Sequence, residues 1–90
     1  MEKILLVYRD EDKAKNKLWE LKNKNYNDHV ILCKFNKLYQ LRGFDVDECL
    51  IQKQIIIDLF NQHYSKIDEL NKIILPMVFL NDDKIKTWGD

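Results

Sequence analysis

Several residue groups in this chain have the types and spacing that could do chemistry. The acid run Asp10-Glu11-Asp12 directly follows an apolar stretch, Lys3 to Tyr8. Open α/β sheets place their ligands just beyond buried strands, and clustered carboxylates there can hold Mg²⁺ or divide acid and base roles. The same residues suit a helix start, with Asp10 or Asp12 as N-cap and the other acids facing the helix dipole. That structural role is the one expected. The thiols Cys33 and Cys49 lie in apolar surroundings, too few and too far apart for a disulfide framework. They are expected to be reduced and buried, although either could be a redox thiol if a helix N-terminus or a cation lowered its pKa. Asp45, Asp47 and Glu48 would oppose a thiolate at Cys49.

His29 and Cys33 stand four apart, a chelating spacing on a helix. On a strand the same spacing is about 13 Å, too far for one ion, and this segment reads as a strand. His63 stands alone near a helix end. Ile55-Ile56-Ile57-Asp58 has the apolar-run-plus-aspartate form of phosphate-hydrolysing enzymes. However, no Gly-x-x-x-x-Gly-Lys-Ser/Thr loop exists, and Gly43 and Gly89 are the only glycines. No nucleophile, base and orienting group can be assembled. No catalytic residue, metal ligand or cofactor is therefore expected.

The elements that would position these groups follow from hydrophobic pattern. Lys3 to Tyr8 is continuously apolar, as in a strand buried on both faces. A helix follows to about Asn25, with Ala14, Leu18 and Leu21 on one stripe and lysines over the rest. His29 to Phe35 is a second, β-branched strand, and strand–helix–strand implies a right-handed, parallel unit. Asn36 to Phe44 has no clear period. A second helix is expected from Val46 to Tyr64, with Glu48 to Gln52 as a third strand in the competing reading. Ser65-x-x-Asp68 resembles a capping box for a short helix ending near Ile73. Met77 to Leu80, a turn at Asn81 to Lys84, and Ile85 to Trp88 then read as a β-hairpin, with Pro76 at the first residue of its strand.

The chain has 90 residues, 15 basic and 15 acidic, which sets one small domain with no net charge. That balance removes a bulk-charge case for nucleic acid, although the lysines of the first helix with Arg9 and Trp19 could make a local contact. No apolar run is long enough to span a bilayer, so a cytoplasmic protein without membrane association is expected. The Lys/Asn/Ile-rich composition is what an AT-rich genome, such as that of many phages, would produce.

Pro76-x-Val78-Phe79-Leu80-Asn81, then Ile85, Trp88 and Asp90, resembles the C-terminal half of glutaredoxins and other thioredoxin-fold proteins. The resemblance implies a cis-proline that opens a hairpin beside a redox site. The family's Gly-Gly after the isoleucine is here Lys86-Thr87, its terminal helix does not follow, and its Cys-x-x-Cys motif is missing. The expected fold is therefore a small α/β domain with a mixed sheet, a βαβ unit and a C-terminal hairpin, thioredoxin/glutaredoxin-like, with a small Rossmann-like sheet as alternative. The expected function is a non-catalytic protein-binding module or homodimer, for instance a small phage- or mobile-element-encoded effector that binds and inhibits a host protein. Its expected surface is Ile56, Phe60, Tyr64 and Trp88. A degenerate thiol redox protein using Cys33 or Cys49, and a nucleic-acid binder, are the alternatives.

Overall fold

A computed structural model describes residues 2–24, 28–41, 43–62 and 64–89, with side chains described at all of these but 62, 64 and 65. His63 lies outside the described residues. The elements are β1 (Lys3–Tyr8), α1 (Glu11–Lys24), β2 (His29–Lys34), a 3-10 segment (Phe35–Leu41), β3 (Glu48–Gln52), α2 (Lys53–Gln62), α3 (Tyr64–Met77), a short 3-10 turn (Asp82–Lys84) and β4 (Ile85–Trp88). The four strands form one sheet in the order β2-β1-β3-β4. Every pairing is parallel.

β1 lies between β2 and β3, which explains its unbroken apolar sequence. Leu5 and Val7 enter one core, with Cys33, Cys49, Ile51, Ile55, Leu59, Leu70, Ile74 and Met77. Ile4 and Leu6 enter the other, with Ala14, Leu50 and Trp88. Strand order reverses between β1 and β3, so right-handed crossovers must put α1 on one face and α2 and α3 on the other. The two cores show this arrangement.

The expected mixed sheet and the long second helix are both corrected. Glu48 to Gln52 is a strand because alternate side chains feed opposite cores, Cys49 and Ile51 one and Leu50 the other. The helical period begins only at Lys53, where Ile55 and Leu59 form the inward stripe of α2. The expected hairpin is absent among the described residues. Met77 closes α3, Pro76 lies inside that helix, and the peptide bonds of the described residues are trans. Leu70, Ile74 and Met77 are buried at helical spacing, and this stripe carries the helix through the proline. The capping-box segment thus starts a helix that runs four residues beyond Ile73 rather than a short one.

The chain leaves α3 through a tight C-terminal turn. Leu80 N–H donates to the Leu75 carbonyl at 2.9 Å and Phe79 N–H to the Pro76 carbonyl at 3.2 Å. This is the Schellman pairing, with Phe79 at the position that glycine usually fills. Phe79 and Leu80 both have positive φ, 57° and 61°. Left-handed backbone costs a side-chain-bearing residue about 1–2 kcal/mol. Phe79 is 69 % exposed, so little packing offsets that cost. Phe79→Gly is expected to stabilise the fold by about 1 kcal/mol in urea unfolding; a destabilised variant would mean that the phenyl ring holds the turn.

Candidate functional site

The crevice beyond the carboxyl ends of β1 and β3 is where an open α/β sheet of this winding binds ligands. Here it is filled from within. The β1–β3 ladder ends at Val7 and Ile51. One residue further, the Gln52 amide oxygen accepts hydrogen bonds from the backbone N–H of Arg9 at 2.7 Å and of Asp10 at 3.1 Å. These N–H groups open the turn into α1, the place where such folds receive an anion, and a neutral side chain of the same protein occupies them. Gln52 is 3 % exposed. Beside it, paired with it across β3 and β4, Trp88 donates its indole N–H to the Val7 carbonyl at 3.0 Å.

The other residues with chemical potential are also committed to structure. Asp10 caps α1, its carboxylate accepting from Asp12 N–H at 3.0 Å and Lys13 N–H at 3.4 Å. Glu11 pairs with Lys15 at 3.8 Å. Asp58 lies in α2, forms an ion pair with Arg9 and accepts from the Gln54 amide at 2.9 Å. It thus ties α2 to the end of β1. His29 and Cys33 are both on β2. Among the described residues no cluster of histidine, cysteine or acid could hold a metal ion.

Cys33 and Cys49 are free and buried. They lie on β2 and β3 with β1 between them, Cys33 level with Val7 and Cys49 with Leu5, so two strand spacings across and two residues along set them about 12 Å apart, beyond disulfide reach. Burial raises the Cys33 thiol, against a smaller opposing effect of Lys37. Burial, then Cys33 and Glu48, push Cys49 up to about 12. Neither thiol is activated.

Of the expected surface residues, Phe60 is exposed, while Ile56 is partly buried against the core. The Tyr64 side chain lies outside the described side chains. Trp88 is corrected: at 6 % exposure it is core, held by its bond to Val7. The exposed tryptophan is Trp19, at 70 %.

The open apolar surface that sequence reasoning missed is at the opposite edge, where the strands begin. A parallel sheet brings all strand starts to one side, and α3 runs back to that side. Val46 N–H donates to the Met77 carbonyl at 2.8 Å, which places exposed Phe44 and the exposed pair Phe79–Leu80 two and three residues from one hydrogen bond. Acids stand at this edge, together with exposed Lys3 and Lys84. Asp28 and Asp47 accept from the N–H groups of Glu2 and Lys3 and so stitch the strand starts together. Glu2, Asp45, Asp82 and Asp83 are exposed. Lys3 lies over the Phe44 ring, 5.5 Å from its centre. Only the left-handed turn would have shown this patch in the sequence, and a Leu-Pro-Met-Val-Phe-Leu run carries no glycine to mark it.

These features define a small, doubly wound parallel α/β domain with a self-filled crevice and an apolar, acidic strand-start edge. Comparison with protein-family models, curated proteins and solved structures found no match. Among the described residues no helix is long and apolar enough to cross a membrane.

Gln52→Leu keeps the volume but leaves the Arg9 and Asp10 N–H groups without their acceptor; it is expected to cost about 2–4 kcal/mol in urea unfolding, and an unchanged midpoint would refute the closure. The thiols give a second test. Both are held neutral in the fold, while in the unfolded chain they ionise near pH 8.5. Above that pH the unfolded state binds fewer protons, so stability must fall as pH rises toward the folded Cys49 value of about 12. Compared with Cys33→Ala/Cys49→Ala, the wild type should lose more stability between about pH 8 and about pH 11; parallel pH profiles would contradict thiol burial.

Proposed function

We propose that this chain is a non-catalytic protein-binding domain that docks through the edge where its strands begin. The observation that carries this reading is Phe79–Leu80: two large apolar side chains, each 69 % exposed, held at positive φ where glycine would be less strained. Strain of this kind persists where the surrounding structure imposes it, and it concentrates at functional sites. Large exposed apolar side chains within a polar rim are what protein interfaces bury.

The closed crevice supports the same reading, because the usual small-molecule position of the fold is taken by Gln52. A thiol redox role finds no support in the two buried, raised-pKa cysteines. A host-directed effector from a phage or mobile element is one setting in which so small a docking domain would act. A photoreactive residue in place of Phe79, irradiated in producing cells, tests the reading directly. Covalent capture of a protein, whether another copy or a different chain, is expected. Recovery of uncoupled chain alone, with the same residue in place of exposed Tyr39 as control, would overturn it.

A further inference from the structure

Among the described residues β2 pairs with β1 alone, so its other side is a free sheet edge. Natural edges are ordinarily kept from pairing by short length, lysine, proline or a bulge. β4, the opposite outer strand, follows that rule, with four residues and exposed Lys86. β2 does not. It runs for six residues in unbroken register with β1, its centre is Val30-Ile31-Leu32, and charge stands only at its ends, Asp28 just before it and Lys34 at its close. His29 N–H donates to the Glu2 carbonyl at 2.8 Å, toward β1. Successive strand residues send their backbone groups to alternate sides, so Val30 and Leu32 aim theirs at the free edge. The side chains along it are apolar too. Leu32 is exposed, and Leu18, Trp19 and Lys22 of α1 line a cleft of about 280 Å³. The stripe Lys13, Asn16, Lys17 and Glu20 borders Trp88 of β4, which leaves Leu18 and Trp19 on the β2 flank of the helix.

We infer that this edge pairs with β2 of a second copy, antiparallel about a two-fold axis perpendicular to the sheet. Opposed residues must point to the same face, so even-numbered residues can oppose only even-numbered ones. With the axis at Ile31, Val30 opposes the partner's Leu32 and Asp28 opposes the partner's Lys34, each pair occurring twice. An axis at Val30 would set Asp28 against the partner's Leu32, and one at Leu32 would set Lys34 against the partner's Val30. Only the Ile31 register matches charge with charge and apolar with apolar. The strand is complementary to itself, and that selects a second copy. The other charges at its ends agree. Glu2 stands beside Asp28, and Lys37 beside Lys34, where Glu11 is also present but pairs with Lys15. Lys3 is engaged over Phe44 and Lys24 pairs with Glu20. On the α1 face, α1 packs over β1 and β2 together. Its two copies would then lie two strand spacings apart, about 9.5 Å, the separation of packed helices. Their Leu18–Trp19 flanks cover each other, while the long stems of Lys15 and Lys22 keep those charges in water. The contact is isologous and closed, with no free β2 edge left to propagate a filament.

This pairing uses a different edge from the docking reading above and leaves Phe79–Leu80 open on both copies. Sedimentation equilibrium of the full chain tests it, and a dimer is expected. Leu32→Lys sets a charge against the partner's Val30 at both pairs and should give a monomer. Lys34→Glu sets like charges opposite one another twice and should weaken the dimer about tenfold. Adding Asp28→Lys to Lys34→Glu exchanges the charges and should restore it. Circular dichroism checks that each variant folds. Because Asp28 also accepts from Glu2 N–H, Leu32→Lys at its exposed position decides the outcome if the exchange variant does not fold. A wild type that stays monomeric at every concentration, a dimer that survives Leu32→Lys, or a folded exchange variant that remains as weak as Lys34→Glu would overturn the inference. Photocapture at position 79 should persist in monomeric Leu32→Lys, so failure of one reading is distinguishable from failure of the other.

Discussion

The hydrogen bond from the Trp88 indole to the Val7 carbonyl ties the outermost strand to the centre of the sheet. β4 has only four residues and pairs with β3 alone, so main-chain bonds hold it weakly. Its tryptophan reaches past β3 to β1 and closes the core beneath α1. Among the described residues one helix, α1, covers that core, and Ala14 is the residue it buries. The large indole supplies the apolar area that a second helix would otherwise cover. Gln52 stands next to it and completes the closure by holding the turn into α1. A single aromatic ring and a single amide therefore decide both how so small a sheet is stabilised and why its usual ligand position is closed.

The docking proposal concerns the opposite edge. Parallel pairing is the constraint that creates it, since every strand then starts on the same side. Acids at the strand starts accept backbone N–H groups there, which explains Asp28 and Asp47 as structural residues. Asp82 and Asp83 lie in a turn that Asn81 caps, its side chain accepting from Asp83 N–H. The left-handed Phe79–Leu80 turn brings the chain out of α3 and into β4, and leaves both side chains in solvent. Topology, strain and charge thus converge on one edge.

The parts of the fold legible in the sequence were those in which one physical signal dominated. β1 was read to the residue because a strand buried on both faces is continuously apolar, and α1 was read as a helix because its acid cap and its apolar stripe, with lysines over the rest, agree. The β3 error had a definite cause: Cys49, Leu50 and Ile51 run directly into Ile55 and Leu59, and a short apolar strand joined to an apolar helix has no punctuation. Pro76 misled for a different reason. Proline ordinarily marks a strand or helix start, but here a buried stripe ending at Met77 outweighs one missing hydrogen bond. The candidate site was the least legible. Nothing in local sequence shows that Gln52 is buried against two N–H groups, or that of two tryptophans Trp88 is core and Trp19 is surface; both depend on β4 pairing in parallel.

The most direct measurement of the central closure uses that difference between the tryptophans. Indole N–H exchange, followed by NMR as two resolved resonances, reads each one separately. The Trp88 indole should exchange only through global unfolding, with protection that falls in step with stability as denaturant is added, while the Trp19 indole should exchange at nearly the rate of a free peptide. Rapid exchange at Trp88 would mean that β4 is not anchored to β1, and the closed crevice would no longer stand.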